Sequence, residues 1–158
     1  MDRGQLAYDN FLKGYNCSQS VIMAYSDFFP EESLETVIKL SSSFGGGMGR
    51  LREVCGTVSG AFMVLGEVYG YKEAGDGERK KDLYARIQEF DARFEKENGS
   101  IVCRTLLGLK GKSDAVPEER TKEYYLRRPC PGYCRSSASL LQQYLMENGV
   151  LDEEGKRI

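Results

Sequence analysis

The segment at residues 44–60, FGGGMGRLREVCGTVSG, contains four glycines within five positions, then two arginines, then a cysteine followed by small residues. Gly56 and Gly60 are four residues apart, a spacing that places both on one face of a helix. A glycine inside a helix costs about 1 kcal/mol relative to alanine. We therefore expect a second helix to approach closely beside Cys55. The preceding glycines predict a sharp turn with positive φ between two helices.

The same glycines could also bind an anion, because glycine backbone N–H groups ahead of a helix can approach a ligand closely. The candidate ligand-binding residues are Gly45, Gly46, Gly47, Gly49 and Arg50. The segment does not match the GxxxxGK[ST] pattern of a nucleotide-binding loop, and no predicted strand precedes it. The sequence therefore leaves two alternatives, a small-anion site and a purely structural turn.

Composition excludes several classes of function. The 158 residues are 41% hydrophobic and 29% charged, which is typical of a globular domain. The net charge of -2 gives no basis for binding nucleic acid. No apolar run approaches the ~20 residues that cross a bilayer, and the N-terminus lacks a signal-peptide core, so we expect a cytoplasmic protein without membrane insertion. The absence of histidine excludes Ser-His-Asp and Cys-His catalysis and imidazole metal ligands.

Hydrophobic periodicity predicts helices and no strands. In LYARIQEFDARF and YCRSSASLLQQYL the apolar residues recur at helical spacing, whereas no segment alternates as a strand does. We predict an all-α fold, a compact bundle of roughly six or seven helices without significant sheet, forming a single domain over residues 1–158. The polar segment at residues 152–158 is expected to be a frayed tail. The predicted helices include residues 3–13, 34–44, 83–94 and 133–145.

The cysteines fall near predicted helix starts. Asn16 and Gln19 form a capping-box pattern that makes Cys17 the first helical residue. Ser100 is a predicted N-cap that places the next cysteine in a first helical turn. Pro131 suits the first position of a helix, with one cysteine at the cap and another one turn later. The five cysteines are Cys17, Cys55, Cys103, Cys130 and Cys134.

A helix N-terminus favours an anion, so a thiol there is expected to have a lowered pKa and to react more readily. The alternative is that each cysteine packs as a small hydrophobic residue. The spacings do not match the paired CxxC motifs of structural zinc sites or the runs of iron–sulfur proteins. CxxC in a βαβ context, typical of thioredoxin, is also absent. Any cooperation between these thiols must therefore come from tertiary packing.

Four segments together resemble the C-GCAxxG-C-C family of proteins, which are described as redox-active. They are GYNCSQSVIMAY, GGGMGRLREVCGTVSGAFMVLG, GSIVCRTLLG and CPGYCRSSASLL. The resemblance covers most of the chain and implies that the family's cysteines fall on Cys17, Cys55, Cys103 and Cys130, with Cys134 additional. Thr57 stands where the short motif has alanine. The resemblance implies a redox role and identifies no substrate.

The first hypothesis is therefore a cytoplasmic redox protein, an oxidoreductase-like chain that performs thiol–disulfide exchange. Its candidate catalytic residues are Cys17, Cys55, Cys103 and Cys130. Cys17 with Cys55 is the leading pair because both adjoin the small-residue surface, and the other two form a second pair. Four cysteines allow three connectivities, so the pairing stays open.

Two further hypotheses remain. In the second, the same four thiolates hold a metal ion or an iron–sulfur centre, which would be the only cofactor. In the third, the cysteines only pack, and the chain binds a small anion or forms a homo-oligomer. The redox partner, protein or small molecule, is unknown from the sequence.

Overall fold

The computed structural model describes residues 1–158 and is mostly helical. It contains eight right-handed α-helices, one more than the upper number predicted, and no sheet. Two short 3-10 helices, Ser26–Phe28 and Ser42–Phe44, and two isolated β-bridges complete the regular structure. The prediction of an all-α fold is confirmed. The helices are α1 Arg3–Leu12, α2 Cys17–Ala24, α3 Glu31–Ser41, α4 Gly56–Tyr69, α5 Gly77–Asn98, α6 Cys103–Leu106, α7 Lys122–Arg127 and α8 Cys130–Glu147.

Local capping explains where several helices begin. The side chain of Asp2 accepts the backbone N–H of Gln5 at the start of α1. The predicted capping box at α2 is present, with Asn16 and Gln19 each bonding the other's backbone N–H. These bonds satisfy N–H groups that have no partner inside the helix. Helix α7 was not predicted, and its N-cap is the Thr121 hydroxyl.

The core lies between α1, α2, α4, α5 and α8. Helix α1 packs against α8 and α2, α2 packs against α4, and α5 covers α4 and α8. Aromatic side chains fill the interior, including Phe11, Tyr25, Phe90 and Phe94, all of which are fully buried. The Tyr25 hydroxyl donates to the carbonyl of Ala138 at 2.8 Å. This packing of α2 between α1 and α4 fixes the position of Cys17.

The prediction of a frayed C-terminal tail is wrong. The guanidinium of Arg3 is completely buried and donates to both carboxylate oxygens of Asp27, at 2.6 and 2.8 Å, and to the carbonyl of Gly155. Arg157 donates to the carbonyl of Phe28 at 3.1 Å and forms a bridge with Leu151. A charged residue near the N-terminus therefore holds the tail against the body of the protein, an interaction that local sequence does not reveal.

None of the helices is both long enough and apolar enough to cross a membrane.

We predict that Asp27→Asn lowers the free energy of unfolding by about 2 kcal/mol at pH 7, measured by urea denaturation. The substitution leaves the buried Arg3 charge without a carboxylate, although the partial exposure of Asp27 reduces the effect. Burial alone would raise the pKa of Asp27, but the hydrogen bond and charge of Arg3 outweigh it and lower that pKa. The stabilisation is therefore present above the unfolded pKa and is lost as pH falls through the lower folded pKa.

Glu154→Gln is the control, because Glu154 forms an exposed ion pair with Lys156. It should change the free energy of unfolding by less than about 0.5 kcal/mol. Equal effects of the two substitutions would show that Arg3 does not depend on Asp27.

Candidate functional site

Four helix starts converge on one small buried cavity. Cys17, Cys103 and Cys130 are the first residues of α2, α6 and α8, and Cys55 is the N-cap of α4. All four line the same cavity of about 20 Å³, room for about one water molecule. The structure thus brings together the four cysteines that the sequence predicted, although they are spread from position 17 to position 130 of the chain. All five cysteines of the chain are free thiols.

Two of the predicted boundaries shift slightly. The N-cap before Cys103 is Val102 rather than Ser100, whose hydroxyl instead accepts the N–H of Val102. At α8 the N-cap is Pro129, so Cys130 is the first helical residue and Pro131 the second. Both shifts move the cysteines by one or two positions and keep them at helix starts.

A single antiparallel bridge between Val54 and Val102 positions two of the cysteines. The N–H of Cys55 donates to the carbonyl of Ile101 at 2.7 Å, and the N–H of Cys103 donates to the carbonyl of Glu53 at 2.6 Å. Because these N–H groups already donate to carbonyl oxygens, they are not available as hydrogen-bond donors to the cysteine sulfur atoms. The bridge therefore fixes the two thiols without supplying them with backbone donors.

The predicted glycine turn, Gly45–Met48, is left-handed. Gly46, Gly47 and Gly49 lie in the left-handed region, with φ of 67°, 65° and 61°. A Cβ on Gly47 would lie 2.5 Å from the Cβ of Cys103, so any side chain there would displace this cysteine. Positive φ and close approach both require glycine at this position. The prediction of a sharp turn with positive φ is confirmed.

The small residues of α4 bring it against α2, as predicted. A Cβ on Gly56 would lie 2.9 Å from the carbonyl oxygen of Phe44 and 3.1 Å from the Cβ of Cys17. A Cβ on Gly60 would lie 2.8 Å from the carbonyl oxygen of Ser18. Gly66, further along the same helix, faces open space. The close contact is therefore confined to the first turns of α4, beside the cysteines.

Cys17 and Cys130 lie side by side where the cavity opens, and the hydrogen-bonding interaction between their thiols is the main influence on both pKa values. This interaction lowers the pKa of Cys17 to about 6, against the opposing effect of burial. The backbone N–H of Gly46 and the charge of Arg120 lower it further. The same interaction raises the pKa of Cys130, which is the donor. At neutral pH the pair therefore holds one negative charge on Cys17 and one proton on Cys130.

The other three thiols remain protonated at neutral pH. Burial raises the pKa of Cys55 to about 12, and its sulfur lies 3.1 Å from the hydroxyl of Thr57. Burial also raises the pKa of Cys103, although the Nη1 group of Arg52 donates to its sulfur at 3.7 Å. Cys134 is fully buried and its pKa is raised by burial. The predicted lowering of the thiol pKa therefore occurs at Cys17, where Cys130 and not the helix start is its main cause. It fails at these three thiols, where desolvation dominates.

The Cys17–Cys130 pair is reached through an open cleft of about 270 Å³. Cys17, Gly46, Arg52 and Cys130 line both this cleft and the four-cysteine cavity, so they form the boundary between the two. Cys17 and Cys130 are the two partly exposed cysteines. A small molecule in the cleft can therefore contact the thiolate, whereas Cys55 and Cys103 lie behind it.

A family model described as "Putative redox-active protein (C_GCAxxG_C_C)" matches residues 15–144. The chain belongs to this family. The C_GCAxxG_C_C match includes all five cysteines and every residue that lines the cleft except Phe11. Its description indicates redox activity and names no substrate. No curated protein and no solved structure matches the chain.

Most of the predicted anion-binding residues of this C_GCAxxG_C_C protein line the cleft. Gly45, Gly46, Gly49 and Arg50 do so, whereas Gly47 packs against Cys103 instead. Three further charged residues of the cleft were not predicted, because they lie in or after a polar loop that contains no recognisable motif. They are Glu118, Arg120 and Arg128.

No group of three or more histidine, cysteine, aspartate or glutamate side chains has an arrangement that could hold a metal ion. The four cysteines therefore line one cavity, but their side chains are not arranged as the ligands of a metal ion. The hypothesis of a metal or iron–sulfur centre gains no support from this arrangement.

We predict opposite effects for the same substitution at two positions of α4. Gly56→Ala should lower the free energy of unfolding by about 2 kcal/mol, because the new Cβ meets backbone and Cys17. Gly66→Ala, the matched control, should raise it by about 1 kcal/mol, because the site is open and alanine favours the helix. Chemical denaturation measures both. Stabilisation by Gly56→Ala would contradict the close packing described above.

We also predict the pH dependence of Cys17 alkylation by iodoacetamide, followed by peptide mass spectrometry. The rate should be half-maximal near pH 6, since the thiolate is the reactive form. Cys130→Ala should shift the midpoint upward, because it removes the hydrogen-bond donor. Cys134→Ala is the control and should leave the midpoint in place. A midpoint near pH 8.5 in the unaltered protein, as for an ordinary thiol, would contradict the assignment.

Proposed function

We propose that this protein is a dithiol redox protein in which Cys17 attacks a disulfide and Cys130 completes the reaction. One observation carries the proposal: Cys17 and Cys130, the two partly exposed cysteines, lie together where an open cleft meets the four-cysteine cavity. The lowered pKa of Cys17, about 6, supports it. A thiolate is the nucleophile in thiol–disulfide exchange, and a neighbouring thiol is needed to release the mixed disulfide. The family description, which indicates redox activity, supports the same conclusion.

The reaction has two balanced steps. The Cys17 thiolate attacks one sulfur of a disulfide substrate, the substrate S–S bond breaks, and the first substrate thiolate leaves and takes a proton from water. Cys130 then gives its proton to water and attacks the Cys17 sulfur. The mixed S–S bond breaks, and the second substrate thiolate leaves and takes a proton from water. The products are a Cys17–Cys130 disulfide and two reduced substrate thiols. An external dithiol returns the protein to its starting state by the reverse exchange.

The electrostatics of the pair favour this order of events. In the resting protein the negative charge on Cys17 raises the pKa of Cys130 and keeps it protonated. Formation of the mixed disulfide removes that charge, so the pKa of Cys130 falls when its thiolate is required. Cys17 is also the better first nucleophile at neutral pH because it is already ionised.

The proposed pairing differs from the one that the sequence suggested. Cys130, and not Cys55, lines the open cleft together with Cys17 and is the main cause of the lowered pKa of Cys17. Cys55 and Cys103 then form the second candidate pair, since both line the cavity behind Cys17. We assign them a secondary role in exchange with the first pair, because their raised pKa values make them slow nucleophiles.

We place this chemistry in the cytoplasm, as expected from the sequence. All five cysteines are free thiols, and a reducing compartment maintains such thiols and supplies dithiols for turnover.

The test uses anaerobically purified protein and the neutral disulfide bis(2-hydroxyethyl) disulfide. We expect the unaltered protein to lose two thiols and peptide mapping to find a Cys17–Cys130 disulfide. Cys130→Ser should stop at a mixed disulfide on Cys17, because no thiol remains to resolve it quickly. Cys17→Ser should react at least about tenfold more slowly, since the other thiols are protonated.

Cys134→Ser is the matched control, because this cysteine lies outside the cavity lining and should leave the reaction intact. Equal rates for Cys17→Ser and the unaltered protein would overturn the proposal. A disulfide that joins other cysteines as the first product would also overturn it.

A further inference from the structure

The cleft in front of Cys17 carries an excess of positive charge. Four arginines line it, against one carboxylate, that of Glu118. Two of the arginines are paired with carboxylates: Arg128 with Glu118, and Arg50 with Asp114 at 3.8 Å. The remaining two, Arg52 and Arg120, form no ion pair. Two of the four arginines in the cleft are therefore not paired with a carboxylate of the protein.

Arg52 is the more unusual of the two. It is only 4% exposed, and it adopts a φ of 61°, which is rare for a residue other than glycine. Its guanidinium donates to the hydroxyl of Ser113 at 2.9 Å and to the sulfur of Cys103 at 3.7 Å, both of which are neutral. Buried arginines are ordinarily paired, because an uncompensated buried charge is costly. An anion that binds beside Arg52 would supply the missing charge.

Arg120 is held rigidly toward the same space. Its guanidinium donates to the backbone carbonyls of Phe11 and Tyr15, at 3.1 and 3.3 Å, and lies 4.1 Å from the centre of the Phe11 ring. These partners orient the group but do not neutralise it. Its charge lowers the pKa of Cys17, so the thiolate offsets one positive charge in the cleft. The charge of Arg52 is then the one that a ligand can neutralise.

The size of the cleft limits the ligand to a small molecule. Its volume of about 270 Å³ is close to the lower end of the range for small-molecule sites, about 300 Å³. Arg52 borders both the cleft and the cavity, next to Cys17. When a carboxylate of a ligand pairs with Arg52, the neighbouring atoms of that ligand thus lie next to the Cys17 thiolate. Arginine pairs with carboxylates through two parallel hydrogen bonds, which also orients the ligand.

We infer that the cleft binds a small disulfide that bears carboxylates, with Arg52 and Arg120 as its anion-binding residues and Cys17 facing its sulfur atoms. This inference rests on the proposed function and specifies the substrate class. The reaction is the exchange already described: Cys17 and Cys130 are oxidised to a disulfide, and the bound disulfide is reduced to two carboxylate-bearing thiols.

The first experiment compares oxidation rates for three disulfides of similar length and different charge. They are 3,3′-dithiodipropionate, which is a dianion, neutral bis(2-hydroxyethyl) disulfide, and cationic cystamine. We expect the dianion to react about tenfold or more faster than the neutral compound, as electrostatic focusing in a cleft allows, and cystamine to be slowest. Each rate is divided by the rate at which the same disulfide oxidises free 2-mercaptoethanol, because the pKa of the leaving thiol also affects the exchange rate. The ratio of two such corrected rates is independent of the fraction of Cys17 that is ionised and reports on charge recognition.

Substitutions identify the residues responsible. Arg52→Gln and Arg120→Gln should each lower the dianion-to-neutral ratio by about tenfold, the effect of losing one charged hydrogen bond. Arg120→Lys should recover part of that loss because it keeps the charge. Arg79→Gln is the control, since it removes the same charge from an exposed position on α5 outside the cleft, and its ratio should equal that of the unaltered protein.

The second experiment tests binding without redox chemistry. Suberate has the length and charge of 3,3′-dithiodipropionate but contains no sulfur. We expect it to protect Cys17 from alkylation by iodoacetamide, and 1,8-octanediol, its neutral counterpart, to give no protection. If Arg52→Gln fails to fold, Arg120→Gln provides the same test.

The outcomes separate this inference from the proposed function. A ratio near one, without protection by suberate, overturns the inference, while formation of the Cys17–Cys130 disulfide still supports the proposed function. No oxidation by any of the three disulfides overturns both, even if suberate protects Cys17. A dianion preference that persists in both glutamine variants overturns the assignment of the two arginines.

Discussion

The close approach of the glycine turn and of α4 to the cysteine-bearing segments is the constraint on which the rest of this structure depends. Gly47 contacts Cys103, and Gly56 contacts Cys17, at distances that leave no room for a Cβ atom. These contacts bring the start of α4 against the start of α2 and close the cavity that four cysteines line. A larger residue at either position would push the thiols apart. The helix stability lost at Gly56 is offset by this packing.

Within the cavity, desolvation and hydrogen bonding divide the thiols into two kinds. A low-dielectric site tolerates one thiolate more readily than two, because like charges raise each other's pKa. Cys17 carries the charge because its interactions with Cys130 and with the N–H of Gly46 outweigh burial. At Cys55 and Cys103 burial outweighs the hydrogen bonds from Thr57 and Arg52 and keeps both thiols neutral. The arginines of the cleft add a positive field on the side from which a substrate enters.

Local patterns were sufficient where an interaction spans only a few residues. The capping box at Asn16 and Gln19 and the positive φ of the glycine turn were predicted correctly, because each depends on neighbours within one helical turn. The C-terminal tail was predicted wrongly, because its order depends on Arg3 at the opposite end of the chain. The cap before Cys103 was displaced for a similar reason: the bridge between Val54 and Val102 determines where α6 can begin.

The sequence by itself determined the all-α fold, the placement of cysteines at helix starts and the need for glycine beside them, since helix periodicity, caps and backbone freedom are local properties. Only the tertiary structure decided that Cys130 lies beside Cys17 and that Arg52 and Arg120 line the same cleft. A hydrogen bond or a shared electrostatic field depends on distance in space, and residues so far apart in the sequence come close only when the helices pack.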